Sequence, residues 1–438
     1  MRIPIASTSR SRRSLRGLSL GLVVVVVLAV SLTTSGAPAA QDAPRARDLG
    51  IPFDGTPGPL NAITDVAGIE VGHLTKIEGS GPRVVGQGPV RTGVTAIWPR
   101  GKEDWAPVFA GWFALNGNGE MTGTTWVTES GFLEGPFMIT NTLSVGIVHH
   151  AVIRWGVQHA PDRSSNYPPS LAALPVVAET WDGPLNDILG QHLTEADAFA
   201  ALEGARPGPV VEGAVGGGTG MECHEFKGGI GTSSRRVTID GGDYTVGVLV
   251  QCNYGLREQL RVAGVPVGKE IPDLMPEFPD GEQVWAADGS LSQRLDPRVL
   301  GRSVEPDPER AERGSIIVLA ATDAPLLPHQ LDRIARRIGM GLARNGSVSS
   351  NSSGDIFMAI STAGRDAIAG GETTASVQML ANGRITPLFE ATIQATEEAI
   401  INAMVAAETM TGADDITVHE LPHERVREIL RRYNRLEE

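Results

Sequence analysis

The chain has 438 residues, with 37 lysines and arginines against 51 aspartates and glutamates and a formal net charge of −14. That acidic balance disfavours nucleic acid as a partner. Two cysteines, Cys223 and Cys252, are too few for a disulfide-rich scaffold or a cysteine zinc cluster, and no HExxH-like histidine spacing occurs, so neither a metal nor another cofactor is expected.

Residues 1–40 have the layout of a secretory signal peptide. Arg2, Arg10, Arg12, Arg13 and Arg16 stand without an acidic residue before an apolar run at 18–32, which closes on small residues at 36–40. The run is shorter than the roughly 20 apolar residues a membrane span needs. Removal is expected after Ala39 or Ala40, by the general or the twin-arginine route, leaving an exported chain that is periplasmic or secreted and holds no membrane anchor.

Along the mature chain, residues 61–73 read as a turn followed by a half-buried strand, with Val66, Ile69 and Val71 apolar. Short apolar runs punctuated by glycine follow as strands ending in tight turns. Residues 139–157 carry apolar side chains at helical intervals behind a polar start, Thr140 to Thr142, which predicts a packed helix. Residues 214–237 are dense in glycine, which lets backbone approach backbone or ligand closely. The GGGTG within them lacks the lysine and serine of a phosphate loop. Residues 246–250 read as a buried strand, and the two cysteines beside this region read as small buried residues, although an exported chain could bridge them.

From 269 to 313 the composition turns to Pro, Asp, Glu and Arg, the signature of a loop or linker. Beyond it, residues 316–321 form a buried strand and 328–342 an amphipathic helix with Leu331, Ile334, Ala335 and Ile338 inward. A strand at 356–360, a long helix at 387–408 and a basic terminal helix at 424–432 complete the order. Strands and helices alternate too irregularly for a doubly wound sheet, so the class is α+β with stacked sheets.

Gly314, Ser315 and the apolar strand after them supply what self-cleavage needs: a permissive residue before the bond, a nucleophile beside it and a rigid support. Attack by the serine oxygen would convert the amide to an ester, and water would release Ser315 as a new N-terminus. Its α-amino group, with a reference pKa of about 7.7–8.0, is well matched to take the hydroxyl proton near neutrality.

The blocks NAITDVAGIEVGH, GNGEMTG, ESGFLEGPF, AETWDGPLNDI, GGGTGMECHEFKGGIGTSSR, VQCNYG, GSIIVLAATDAPLLPHQL and NSSGDIF, in that order, resemble the DmpA family of aminopeptidases, also called the P1 or S58 peptidases. The resemblance implies a four-layer αββα sandwich. It further implies autocleavage into a larger subunit, 41–314, and a smaller one, 315–438, which stay associated as one catalytic domain and assemble into homo-oligomers. The implied activity is release of N-terminal L-, D- or β-amino acids from short peptides, amides or esters.

Carried over by position, Ser315 is the nucleophile and Asn253 the oxyanion donor, with Ser353 and Asp355 behind the nucleophile; many members have Glu where this chain has Asp355. Trp181 stands where some members have Tyr, and it would contact the substrate. Glu179 would anchor the substrate's ammonium group, with Glu120 and Glu134 as competitors. Two other readings use the same scaffold: an acyltransferase like ornithine acetyltransferase, which cleaves itself at a threonine, and a catalytically silent extracellular binding protein.

Overall fold

The computed structural model describes residues 44–159, 174–279, 314–366 and 373–437. The expected signal peptide and residues 280–313 of the expected linker lie outside them. In chain order the strands that build the site are β1 (Glu70–Glu78), β2 (Val90–Trp98), β3 (Val108–Ala114), β4 (Phe132–Leu133), β5 (Phe137–Asn141) and β6 (Val176–Thr180). They continue with β7 (Glu222–Cys223), β8 (Phe226–Lys227), β9 (Gly229–Ile239), β10 (Gly242–Asn253), β11 (Ser315–Thr322) and β12 (Ile356–Ser361). The principal helices are α1 (Val145–His159), α2 (Glu195–Glu203), α3 (Pro328–Arg344), α4 (Thr386–Val405) and α5 (His423–Arg432).

A 4-stranded sheet in the order β1-β2-β5-β6 faces a 6-stranded sheet in the order β4-β3-β12-β11-β10-β9. Side-chain alternation along β11 shows how the layers stack. Ile316, Val318 and Ala320 pack with α3 and α4, whereas Ile317, Leu319 and Ala321 pack with Phe137, Ile139 and Val176 of the smaller sheet. A strand covered on both faces needs a continuous apolar sequence, which SIIVLAAT provides. On the far side of the smaller sheet, Val94, Ala96 and Met138 meet Val152 of α1 and Ala198 of α2. The result is the expected helix–sheet–sheet–helix sandwich. No helix among the described residues is long and apolar enough to cross a membrane.

Two sequence expectations change. Residues 137–141 form strand β5, and the helix begins only at Val145. All of β5 is buried between layers, and the Asn141 side chain accepts the Ser144 N–H, so the polar triplet caps the helix rather than opening it. The glycine-rich stretch 214–237 holds the hairpin β7–β8 and most of the long strand β9. Cys223 and Cys252 are fully buried as expected but are bonded to each other. The hairpin β7–β8 folds against β10 and brings their Cα atoms to 5.5 Å, within bridging range.

One buried ionic cluster joins segments from either side of Gly314. Glu398 of α4 accepts from Arg235 of β9 at 2.7 Å, from Arg47 at 2.8 Å and from Asn61 at 2.6 Å. Burial alone would raise the Glu398 pKa, but these hydrogen bonds and the two guanidinium charges outweigh it and hold the pKa below the usual value. Glu398→Gln leaves Arg235 buried without its counter-charge, so a loss of about 3–5 kcal/mol in denaturant unfolding is predicted. The contribution of the carboxylate is present above the unfolded pKa and is lost as pH falls through the depressed folded value, so parent and variant should converge in acid.

Candidate active site

Ser315 opens β11, and the antiparallel ladder sets it directly opposite Asn253, the last residue of β10. Because Ile316 and Cys252 point to the helix layer, alternation turns Ser315 and Asn253 toward the space between the two sheets. Both are nearly closed off, at 7 % and 6 % exposure. Gly314 is required here for space. A Cβ at that position would fall on the Asn253 carbonyl oxygen and lie 3.2 Å from Tyr254 Cα, so only glycine lets the backbone before Ser315 pass so close to β10.

The Asn253 carboxamide is fixed at both ends. Its Oδ1 accepts the Glu222 backbone N–H at 2.8 Å, and its Nδ2 donates to the Trp181 carbonyl at 3.0 Å. A flipped amide would set donor against donor and acceptor against acceptor, so the orientation is determined. One Nδ2 hydrogen remains for a developing oxyanion. One turn of the ladder deeper, Gln251 bridges the sheets, donating to the Thr140 carbonyl and to the Thr180 hydroxyl.

On the other side of Ser315 lies the loop before β12. The Gly354 N–H donates to Ser315 Oγ at 3.0 Å, and Ser353 Oγ donates to Asp355 Oδ1 at 2.6 Å. The Asp355 carboxyl is fully buried. Burial raises its pKa, against hydrogen bonds from Ser353, from Ser349 and from the Ile316 backbone N–H that lower it. The shorter acid therefore reaches the peptide group immediately after Ser315. Asn116 braces the loop by accepting the Asp355 N–H and donating to the Ser350 carbonyl, and Asn118 donates to the Ser352 carbonyl.

Glu179, at the end of β6, is 4 % exposed. Its carboxyl accepts from the Glu120 backbone N–H at 2.9 Å and from the Thr142 hydroxyl. Burial raises its pKa, and the neighbouring Glu120 charge adds to the rise. Gly119, whose Cβ would lie 3.3 Å from both Glu179 Oε1 and Gly354 Cα, joins this carboxyl to the Ser315 loop. Among the expected competitors, Glu120 is exposed and contributes its backbone, while the half-buried Glu134 takes a hydrogen bond from Trp126. The Trp181 indole lies against Gly183, so it is the backbone carbonyl of Trp181 that touches the candidate catalytic group. Sequence reasoning thus located Ser315, Asn253, Ser353, Asp355, Glu179 and Trp181 at one end of the sandwich. It did not pick out Glu222, Gln251, Gly354 or Asn116, which act through backbone groups or as braces and carry no chemical signature of their own.

The match to the family model described as peptidase family S58 spans residues 61–418. The chain belongs to peptidase family S58. It is 51 % identical over 398 residues to the β-peptidyl aminopeptidase BapA of Sphingosinicella microcystinivorans, covering 91 % of this chain and 94 % of that protein. Among solved structures, the L-aminopeptidase D-Ala-esterase/amidase of Ochrobactrum anthropi, described as a variant of the Ntn hydrolase fold, superposes with a TM-score of 0.77 at 44 % identity, covering 90 % of this chain and 99 % of its own. A Burkholderia sp. β-aminopeptidase gives 0.73 at 45 % identity, covering 89 % and 99 %. This S58 chain is accordingly a hydrolase, an aminopeptidase built on the N-terminal-nucleophile fold.

The close approach of two loops in this S58 site yields a direct test. A Cβ on Gly354 would overlap the Asn118 carbonyl oxygen and lie 2.8 Å from Gly119 Cα, both backbone atoms. Gly354→Ala is therefore predicted to push the loop off Ser315 and lower kcat by about 100-fold, the usual cost of an ångström-scale misplacement. Initial rates on an amino-acid p-nitroanilide check this, and an unchanged kcat would show that the Gly354 N–H is dispensable.

Proposed function

We propose that the chain cuts its own Gly314–Ser315 bond and then uses the freed serine to release N-terminal residues, β-amino acids among them, from short peptides, amides and esters. The observation that carries this reading is the ladder partnership of Ser315 with Asn253 behind a glycine that only close backbone approach explains. In the first stage Ser315 Oγ attacks the Gly314 carbonyl carbon, the amide nitrogen leaves with a proton, and an ester joins the two pieces. Water then hydrolyses the ester, giving a Gly314 carboxylate and a free Ser315 amine. In each later turnover that amine takes the hydroxyl proton, Oγ forms an acyl-enzyme with the substrate, the proton passes to the leaving amine, and water completes the cycle.

The remaining roles follow from position. The spare Asn253 N–H meets the oxyanion, a contribution typically worth about 3–4 kcal/mol. Ser353 and Asp355 order the start of β11. Glu179 takes the substrate ammonium, whose positive charge offsets the desolvation of a carboxylate that has no cation against it among the described residues. Inclusion of β-amino acids among the released residues is supported by the named activity of the 51 % identical relative. Export is supported by the leader composition and by the buried cysteine bridge, which suits an oxidising compartment. Homo-oligomers of the paired subunits follow from the family resemblance.

Two measurements test the reading. Purified parent protein should run as two polypeptides, the smaller with the N-terminal sequence Ser-Ile-Ile-Val, whereas Ser315→Ala should stay as one inactive chain; an inactive but cleaved variant would contradict the scheme. Glu179→Gln should raise KM for amine-bearing substrates by roughly tenfold or more while sparing esters that lack the amine. Because burial raises the Glu179 pKa, the acid limb of the parent's kcat/KM profile should lie above the ordinary glutamate range, and the variant should lack that limb.

A further inference from the structure

The segment MECHEFKGG contains a lysine that the proposed chemistry does not use. Lys227 is fully buried, and its Nζ donates to the Met221 carbonyl at 2.7 Å and to the Gly228 carbonyl at 2.9 Å. Burying an ammonium group in an apolar fold is costly, so its retention calls for a physical reason. The Met221 carbonyl and the Glu222 N–H belong to the same peptide group. That N–H is the donor that holds Asn253 Oδ1 at 2.8 Å. Starting at Lys227 Nζ, the donors and acceptors therefore run in one direction: ammonium to Met221 carbonyl, through the peptide group to the Glu222 N–H, to Asn253 Oδ1, and through the carboxamide to Nδ2.

We propose that Lys227 is a positioning residue that polarises the Met221–Glu222 peptide and, through it, strengthens the Asn253 carboxamide as an oxyanion donor. This rests on the proposed role of Asn253. Aligned hydrogen bonds reinforce one another, and a cation at the head of the series withdraws electron density from every later donor. The Met221 carbonyl also accepts the Gly228 N–H at 3.0 Å, so the peptide is polarised by two donors and cannot rotate away. The arrangement is built by strand pairing, since Lys227 sits opposite Glu222 in the β7–β8 register.

The second end of the carboxamide lies next to a buried acid. Asn253 Nδ2 donates to the Trp181 carbonyl, and the next residue, Asp182, is fully buried with its Cβ 2.9 Å from the place a Gly220 side chain would occupy, beside Met221. Burial pushes the Lys227 ammonium down to about 7, and the Asp182 charge acts the other way. Asp182 itself is pushed up to about 6 by burial, against hydrogen bonds from Thr92, Asn186 and Asn141.

The test compares Lys227→Met, Lys227→Gln and Asn253→Ala as full-length, self-processed enzymes. It uses an amino-acid p-nitroanilide as substrate, the matching amino aldehyde as an inhibitor that forms an oxyanion on Ser315, and the matching simple amine as an inhibitor that forms none. Lys227→Met is expected to lower kcat about tenfold with KM within about twofold, and to weaken the aldehyde by the same factor while leaving the amine unaffected. Lys227→Gln keeps a neutral donor and should lose only about threefold. Asn253→Ala should lose about 100- to 1,000-fold, and adding Lys227→Met to it should cost nothing further.

Parent kcat in both Lys227 variants, or equal loss of aldehyde and amine affinity, would overturn the relay. If Lys227→Met does not fold, Lys227→Gln carries the test through the same selective loss of aldehyde affinity. Parent kcat in Asn253→Ala would instead remove the oxyanion role on which the relay depends.

Discussion

The pairing of β10 with β11 is the constraint from which the site follows. Its register sets Asn253 against Ser315, and pleating turns both side chains into the gap between the sheets. A shift of one residue would send both toward the helix layer and put Cys252 and Ile316 in their place. That slip is opposed along the whole ladder, because Val246, Val248 and Val250 on one strand and Ile316, Val318 and Ala320 on the other are buried against α3 and α4. Hydrophobic packing thus determines where the chemistry happens, although none of the packed residues takes part in it. The same close pairing excludes a side chain before Ser315, which would tie the position of the proposed scissile bond to that of the proposed nucleophile.

Around that pair the protein has moved polar groups into a space that is otherwise apolar. Gln251, Thr140, Thr180, Glu179, Asp355 and Lys227 all lie between layers or beneath the loops that close them, and each has hydrogen-bond partners there. Fixed dipoles in a site of low dielectric act more strongly on a developing charge than water does, and they need no reorganisation as the charge appears. Raised carboxyl pKa values at Glu179 and Asp355 are the other side of the same burial. In the role proposed for Glu179 a substrate ammonium would reverse the penalty, so that recognition of the free amine would come from desolvation rather than from an exposed acidic surface.

Much of this was legible in the amino-acid order. The strand at 315–322 and the helix at 328–344 were marked by continuous and by 3.6-residue apolar patterns, whereas a Gly-Ser pair before a strand is common and pointed to a proposed cut only with the family resemblance. The roles of Asn253, Ser353, Asp355 and Glu179 needed the family resemblance, because an asparagine before a turn or an SSGD loop is common without it. Residues 139–141 read as helix because a fully buried strand has no alternation to distinguish it from a buried helical face. Lys227 and Glu222 were silent for another reason. Their effect passes through one peptide group whose orientation is set by a hairpin, and no spacing of side chains encodes a backbone carbonyl. The cysteine bridge was equally hidden, since 29 residues of chain separate its ends and only the fold of β7–β8 against β10 brings them together.

The central claim is that one residue provides both the nucleophile and its base once the backbone in front of it has opened. Rapid quenching of the enzyme with a slowly deacylating amino-acid ester, followed by mass analysis of the separated polypeptides, measures this directly. The account predicts the acyl mass on a polypeptide that begins at Ser315, attached to that residue's oxygen with its α-amine unmodified. An acyl group on an uncut chain, or on any side chain other than Ser315, would contradict it.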